Sequence, residues 1–400
     1  MCILYLQRYL RTVLSYFLPR LILFLSFIDL FFHFTTIARF AELLKSSSYM
    51  IGVIVAIYSI SNFAGNLISG IILDRWGRIL PVKFGLFLSS VTVGSYYFVN
   101  SVMQLFILRL LHGISSSVLV PGAYAIIGDI LKNKNHGSVM GITGAIIAFS
   151  AILGSLSAGL ISEFISVRFV FIVDALMLLL GFCFLLIYSR NLEQYNVLAY
   201  DKESFAKSSS SLFDALKKKL IISYISIFLM SIGVGLLVGR LPLLFEDNDM
   251  YRGISFTIYA IVALFVMISP IVKKLNKINL IVFGLFSLSL SFLIIGFNTN
   301  DFIWIFIGMV IFGLGYGSLF PSVTSIVSEN TDKFIRGKSY GILYACYSGG
   351  VVVGSNYPAL LEYLFGNNSL NIGFEFYLAF AILLFSGLLI YRFSKTNNYV

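Results

Sequence analysis

Residues 70–78 read Gly-Ile-Ile-Leu-Asp-Arg-Trp-Gly-Arg and join two long apolar segments, residues 50–73 and 82–99. Each segment is long enough to cross the hydrocarbon core of a bilayer, which is roughly 30 Å thick. Because lipid offers no hydrogen bonds to the backbone, both segments are predicted to be helices. The polar stretch between them is therefore predicted to be a tight turn at a membrane surface.

The composition of the whole chain agrees with a membrane protein. The 400 residues are 58% hydrophobic and 12% charged, whereas soluble domains carry about 25% charge. No alternation of polar and apolar residues typical of membrane barrel strands is visible. The net charge of +10 is spread between the apolar segments rather than gathered into a patch with aromatic residues, which argues against nucleic acid as a partner.

Twelve apolar segments are predicted to span the membrane as helices, and basic residues separate them unevenly. The segments are residues 21–38, 50–73, 82–99, 103–131, 138–161, 169–188, 220–245, 253–272, 280–297, 302–327, 340–363 and 374–391. The connections on the side of the termini hold Arg75, Arg78, Lys83, Lys132, Lys134, Arg190, Lys217, Lys218, Lys219, Lys273, Lys274, Lys277, Lys333, Arg336 and Lys338. The other side holds Arg39, Lys45, Arg168 and Arg252. The positive-inside rule then predicts a multi-pass protein of the cell membrane with both termini in the cytoplasm.

The second half of the chain repeats the first at an offset of about 200 residues. Gly113, Pro121, Gly137, Gly141, Gly154 and Ser155 correspond to Gly313, Pro321, Gly337, Gly341, Gly354 and Ser355, and Arg39, Gly52 and Tyr58 correspond to Arg240, Gly253 and Tyr259. The repeat predicts an all-α membrane protein with two pseudo-symmetric six-helix bundles, residues 1–190 and 220–400. Residues 191–219 are predicted to be a cytoplasmic linker, or alternatively a small ordered regulatory element. Such repeats place a solute site near the bilayer midplane between halves that alternate access.

The motif at residues 70–78 resembles the signature of the major facilitator superfamily between its second and third helices. The matching residues are Gly70, Asp74, Arg75, Gly77 and Arg78. Gly70 allows close helix approach, and Asp74 is suited to meet both basic neighbours and a helix N-terminus. The resemblance implies the twelve-helix fold of that family and a latch between the two halves on the cytoplasmic side. The alternative is an ordinary charged loop.

A second motif, Arg109-x-x-His112-Gly113, resembles the fourth-helix motif of the same family, with histidine in place of the usual glutamine. In the family this arginine is tied to proton coupling or substrate binding. Arg109 is predicted to lie about two helical turns below the outer face of the membrane, where an unpaired cation costs roughly 2.5 to 3.5 kcal/mol. A partner for Arg109 is therefore expected. Asp29 in the first span is predicted to be that partner, with His33 one turn away on the same face. The alternative is a static ion pair.

Further candidates lie in the fifth, sixth, tenth and eleventh spans. Gly154, Ser155 and Gly159 resemble the family's fifth-helix antiporter motif but lack its proline, and their alternative role is helix packing. Asp174 is a second carboxylate within the membrane and a candidate to line a substrate cavity, or else to face the outer vestibule. Tyr316, Tyr340 and Tyr344 are candidates to line a substrate cavity, or else to belong to the core.

The predicted function is secondary transport of a small organic solute, with proton-coupled efflux by alternating access favoured. Asp29, His33 and Arg109 are predicted to carry the proton coupling. A nutrient symporter or facilitator for a sugar or organic anion is the alternative, and a non-transporting receptor is the alternative of another class. No nucleophile accompanied by a base, no metal cluster and no cofactor motif is found, so an enzyme is not expected. The partners expected are the solute, protons and the lipid bilayer, and the chain is expected to act as a monomer.

Overall fold

The computed structural model describes residues 2–130, 136–189, 218–245, 249–270, 274–299, 301–331, 335–365 and 373–396. Across these residues the chain forms α-helices and one short 3-10 turn, and it contains no strand. The first half contains α1 (Cys2–Leu43), α2 (Ser48–Trp76), α3 (Ile79–Ser95), α4 (Val102–Ser116), α5 (Leu119–Ile130), α6 (His136–Phe164) and α7 (Val167–Tyr188). The second half contains α8 (Lys218–Leu244), α9 (Asp249–Ile268), α10 (Lys277–Phe297), α11 (Phe302–Asn330), α12 (Arg336–Phe365) and α13 (Gly373–Thr396).

Membrane-spanning character is present in most of these helices. By length and composition, 11 helical segments of the described chain can cross a membrane, with α4 and α5 together forming one of them. The prediction of twelve spans differs at α12, which is a helix of 30 residues but is not among the 11. It is more polar because it packs lengthwise between α2 and α8, where Ser348 and Lys338 are buried.

The segment predicted as one helix over residues 103–131 is broken into α4 and α5, so that prediction is wrong in detail. Pro121 has no backbone N–H to offer the carbonyl of Ser117, four residues before it. The hydroxyl of Ser69 on α2 donates to that carbonyl instead, at 3.3 Å. Ser117 also bonds its own helix through its hydroxyl, which reaches Ile114 O at 2.7 Å. Side-chain hydrogen bonds of this kind compete with the helical ladder.

The internal repeat is reproduced in the packing of each half. The tetrapeptide of residues 84–87 recurs at residues 283–286, which aligns Gly85 with Gly284. A Cβ atom added to Gly85 would lie 3.1 Å from Ser115 O, and one added to Gly284 would lie 2.9 Å from Gly315 O. Both glycines therefore let the third helix of a half approach the backbone of the fourth.

The halves meet along two equivalent helix pairs, α2 with α12 and α6 with α9. In the first pair a Cβ at Gly70 would lie 3.0 Å from Gly337 O, and in the second a Cβ at Gly253 would lie 2.7 Å from Ser155 O. The side of the bundle at the α2–α3 turn, Gly77, is called the motif face below, and the side at the α1–α2 turn is called the opposite face. The linker predicted at residues 191–219 falls almost wholly outside the described residues, so the domain division stays a prediction.

Candidate functional site

Asp29 lies in a buried cluster between α1 and α4. Its carboxylate faces two imidazoles: His112 Nε2 lies 3.2 Å from Asp29 Oδ2, and His33 Nε2 lies 3.4 Å from Asp29 Oδ1. All three side chains are at most 2% exposed. The one-turn spacing predicted to put Asp29 and His33 on one face is therefore confirmed.

Asp174 of α7 joins the same cluster rather than a substrate vestibule. Its Oδ2 lies 3.6 Å from His33 Nε2. On the other side of the cluster, Tyr96 OH lies 3.3 Å from His112 Nδ1, and the ring of Phe171 stacks on His33 with centroids 5.4 Å apart. Both rings are themselves buried, so they pack around the cluster inside the protein.

Arg109 does not pair with Asp29 as predicted. Among the described residues its Nε donates to Ile54 O at 3.3 Å, and its guanidinium lies over the ring of Tyr58 at 4.3 Å. The hydroxyl of Tyr58 lies 3.0 Å from Ser116 Oγ. His112, one turn further along the same face of α4, contacts the carboxylate instead. Arg109 still acts electrostatically on His33, so it belongs to the cluster at longer range.

The equivalent positions of the second half are apolar. The register that aligns Arg39 with Arg240 places Met230 and Val234 at the positions of Asp29 and His33. The register that aligns Gly113 with Gly313 places Met309 and Phe312 at those of Arg109 and His112. All four of these apolar side chains are buried. The same helix positions are thus occupied by ionisable side chains in one half and by buried apolar side chains in the other.

The ligand atoms of Asp29, His33 and His112 all lie within 4.8 Å of one another, as metal ligands do. Two observations favour protons over a metal ion. Each imidazole places its Nε2 within 3.4 Å of a carboxylate oxygen, and the contact of His112 with Asp29 has the geometry of a hydrogen bond. The charge of Arg109 acts on the same cluster and opposes the entry of a divalent cation.

A cavity of about 60 Å³ lies between the halves next to this cluster. The first half contributes Ser26, Phe27, Leu30, Phe34, Tyr58, Ser59, Asn62, Asn66, Ser116, Val120 and Pro121, and the second contributes Tyr344, Tyr347, Ser348 and Val351. Tyr344 lines the cavity as predicted. Asp174, Tyr316 and Tyr340 are not among the lining residues, so for them the cavity prediction is wrong.

These three misplaced candidates are held in the core. Tyr316 stacks on Phe320 with centroids 5.4 Å apart, and Tyr340 stacks on Tyr124 at 5.1 Å. Aromatic periodicity in the sequence did not separate cavity-lining rings from core rings, because both kinds lie on buried helix faces.

Polar side chains connect the two halves across the cavity. Ser348 of α12 donates to Asn62 Oδ1 at 2.8 Å, and Asn66 Nδ2 lies 3.3 Å from Ser348 Oγ. Asn62 also donates to Gly113 O at 3.1 Å. Neither asparagine was selected from the sequence, although an amide inside an apolar span was the available signal.

At the motif face, Asp74 contacts the N-terminus of α12 in the other half. Its Oδ1 accepts from Gly337 N at 3.1 Å and its Oδ2 from Lys338 N at 2.9 Å. A carboxylate at this position satisfies free amide groups and interacts well with the helix dipole. The contact predicted between Asp74 and a helix N-terminus is therefore present, and it crosses between halves.

Arg78 and Arg336 extend this contact through Asp129, which ends α5. Arg78 Nε lies 3.2 Å from Asp129 Oδ2 and Arg336 NH1 lies 2.8 Å from Asp129 Oδ1. Burial lowers the pKa of Arg78, but Asp129 and Asp74 outweigh it and the net shift is upward. The sequence did not single out Asp129 or Arg336 for this cluster, and Arg75 of the motif is exposed.

The fifth-helix motif lies in helix packing. Gly154 packs on α1 near Ile28 O, while Ser155 O and Gly159 Cα both lie against Gly253 of α9. Small residues at these positions allow α6 to approach both α1 and α9. The packing alternative for this motif is the one that the contacts support.

Known proteins share this sequence pattern over most of the chain. The family model described as Major Facilitator Superfamily matches residues 21–355 and 253–397. The multi-drug resistance efflux pump PmrA of Streptococcus pneumoniae is 23% identical over 84% of this chain and 85% of its own length. Multidrug resistance protein 2 of Bacillus subtilis is 25% identical over 84% and 89%.

Solved structures show the same fold. The proton:xylose symporter XylE covers 95% of this chain and 96% of its own, with a TM-score of 0.73 and 15% identity. The human organic anion transporter MFSD10 covers 95% and 99%, with a TM-score of 0.66 and 17% identity. The family model covers well over half of the chain, and the helices, repeat and motif agree with it. The chain therefore belongs to the major facilitator superfamily of membrane transporters.

Proposed function

We propose that this chain exports a small organic solute across the cell membrane in exchange for protons. The observation that supports this proposal most directly is the buried cluster of Asp29, His33 and His112 beside the central cavity. Charges are costly in a membrane interior and mark ion pathways there. Their apolar counterparts in the second half support a role in transport rather than in helix packing.

Efflux is supported by relatives that are named as multidrug efflux pumps in two bacterial genera. The sugar and anion transporters are similar in fold at 15% and 17% identity, which carries no information on substrate. Export is therefore proposed over nutrient uptake.

The proposed proton site contacts the cavity through shared side chains, which allows proton binding to affect solute binding. Tyr58 lines the cavity, lies against Arg109 and meets Ser116. A proton bound at Asp29 reduces the negative charge that Arg109 experiences, and its guanidinium then shifts relative to Tyr58. Solute in the cavity and proton on the cluster are coupled in this way.

Alternating access requires the contacts at the motif face to open. Asp74 on α2 and the N-terminus of α12 hold the halves together there. We take this as the latch, with the motif face in the cytoplasm and both termini on that side. Rupture of these bonds opens the cavity to the cytoplasm, where it takes up solute.

The test is dye transport in proteoliposomes of the full-length protein, with ethidium as the probe and an imposed pH gradient. The parent protein is expected to accumulate dye when the gradient is present and to lose accumulation when an ionophore collapses it. Asp29→Asn is expected to exchange dye across the membrane but not accumulate it, since an amide binds no proton.

The matched control is Glu163→Gln, the same chemical change at an exposed residue of α6. It is expected to transport like the parent. Accumulation that survives in Asp29→Asn, or dye flux indifferent to the gradient in the parent, would falsify proton coupling. Flux of xylose in place of dye would favour the nutrient carrier.

A further inference from the structure

Asp174 is a buried carboxylate that coupling through Asp29 leaves without a role. It is fully buried, and neither carboxylate oxygen has a hydrogen-bond partner among the described residues. His33 Nε2 lies 3.6 Å from Asp174 Oδ2 and 3.4 Å from Asp29 Oδ1. One imidazole nitrogen therefore lies between two carboxylates that belong to different helices.

The charges of this cluster do not balance without a bound proton. Ionised Asp29 and Asp174 contribute two negative charges and Arg109 contributes one positive charge, which leaves one negative charge when both histidines are neutral. An uncompensated buried charge is strongly destabilising. The closed conformation is therefore neutral only when the cluster holds one proton.

The titratable groups around Asp174 come from four elements. Asp29 and His33 on α1 act on Asp174 directly, and Tyr58 on α2 lies within range of its charge. Tyr96 on the turn after α3 contacts His112, and His112 and Arg109 on α4 act on Asp29 and His33. The helices α3 and α6 also pack against α7, but their titratable residues Lys83, His136 and Glu163 lie near the helix ends. Within the described residues, His33 is the basic side chain within ion-pair distance of Asp174, with 3.6 Å between Nε2 and Oδ2 and no hydrogen bond between them.

We propose that Asp174 is a second proton-binding carboxylate of the coupling site and that His33 passes a proton between Asp174 and Asp29. This rests on the proposed function and extends it to a residue outside the family motifs matched above. The carboxylic acid of Asp174 gives its proton to His33 Nε2, which leaves a carboxylate and an imidazolium. The imidazolium then gives the Nε2 proton to Asp29, which becomes the acid, and His33 returns to neutral.

The experiment compares the full-length parent with Asp174→Asn, Asp174→Glu, His33→Gln and the control Glu163→Gln. Infrared difference spectra between acidic and alkaline pH report the C=O stretch of protonated carboxyl groups without needing a substrate. Asp174→Asn is expected to remove one carboxyl band that Asp29→Asn retains. Ethidium accumulation under a pH gradient is expected to be lost in Asp174→Asn and His33→Gln and retained in Asp174→Glu.

Retention in Asp174→Glu shows that accumulation requires a carboxyl group at this position, and dye exchange without accumulation in Asp174→Asn shows that this variant is folded. An unchanged carboxyl spectrum in Asp174→Asn overturns the proposal, as does full gradient-driven accumulation in that variant. If Asp29→Asn alone loses accumulation, the proposed function stands and the role of Asp174 fails. Dye flux indifferent to the gradient in the parent contradicts the proposed function itself.

Discussion

Gly113 shows how a single residue positions the coupling cluster. A Cβ atom there would collide with Ser61 Oγ and with the carbonyl oxygen of Tyr58. The glycine therefore holds α4 close against α2, next to Arg109 and Tyr58. The corresponding Gly313 packs in the same way against Tyr259 O, so each half uses one glycine for this approach.

Gly113→Ala is expected to destabilise the protein and to weaken coupled transport together. Overpacking of this kind costs about 1 to 3 kcal/mol, and here it also displaces Tyr58 from Arg109. Thermal unfolding of the purified protein and ethidium accumulation measure the two effects. Gly94→Ala is the control, since its Cβ would make an ordinary contact at 3.4 Å with Ala175. Equal unfolding temperatures for the two variants would contradict the close approach.

Some contacts of the site could be predicted from residue spacing along one helix, and others could not. The spacing of Asp29 and His33 fixes their common face, and the structure agrees. Spacing within α4 cannot decide whether Arg109 or His112 faces Asp29, because that depends on the rotation of α4 against α1. The partner of Asp174 could not be predicted for the same reason, since α1 and α7 have to be docked before Asp174 meets His33.

At the scale of elements, the latch joins two helix ends across the molecule. Asp74 at the end of α2 satisfies two amide groups that α12 cannot bond internally, as every helix N-terminus leaves such groups free. Arg336 at the start of α12 reaches back to Asp129 at the end of α5. Two oppositely directed contacts therefore fix the same interface.

Arg336→Ala is expected to shift the protein toward a conformation open at the motif face. It removes a partner of the buried Asp129, and breaking such a pair costs about 3 to 5 kcal/mol, a large bias on a two-state equilibrium. The measurement is labelling of Ser348→Cys in the cavity by a membrane-impermeant maleimide, in a background without the three native cysteines. Faster labelling from the motif face is expected.

The control for this variant is Lys277→Ala. Lys277 pairs with Glu329 within the second half, and both side chains are about one-third exposed. Exposed pairs contribute little, and this one does not cross between halves. Labelling of Ser348→Cys at the same rate in both variants would argue that Arg336 plays no part in the latch.

At the scale of the whole molecule, the repeat allowed the sequence to predict most of the fold. Hydropathy and the 200-residue offset gave the helices and their pairing, because lipid leaves the backbone few choices. The break between α4 and α5 was missed, since it needs the hydroxyl of Ser69 on another helix. The polar residues of α12 were explained only by the structure, which packs this helix between α2 and α8.

The repeat also gives a test of what the charges cost the molecule as a whole. Asp29→Met and Arg109→Met each install the residue found at the matching position of the second half, Met230 and Met309. Without Asp29, the charges of Asp174 and Arg109 cancel, so unfolding temperature is expected to stay level or rise while coupling is lost. Without Arg109, two carboxylates remain uncompensated, and unfolding temperature is expected to fall by several degrees, since such a loss costs about 3 kcal/mol or more. The contrast needs only the purified protein and a melting curve for each variant. A lower unfolding temperature for Asp29→Met than for Arg109→Met would mean that the cluster is held by Asp29 as a structural anion, and that its charges serve the fold before they serve transport.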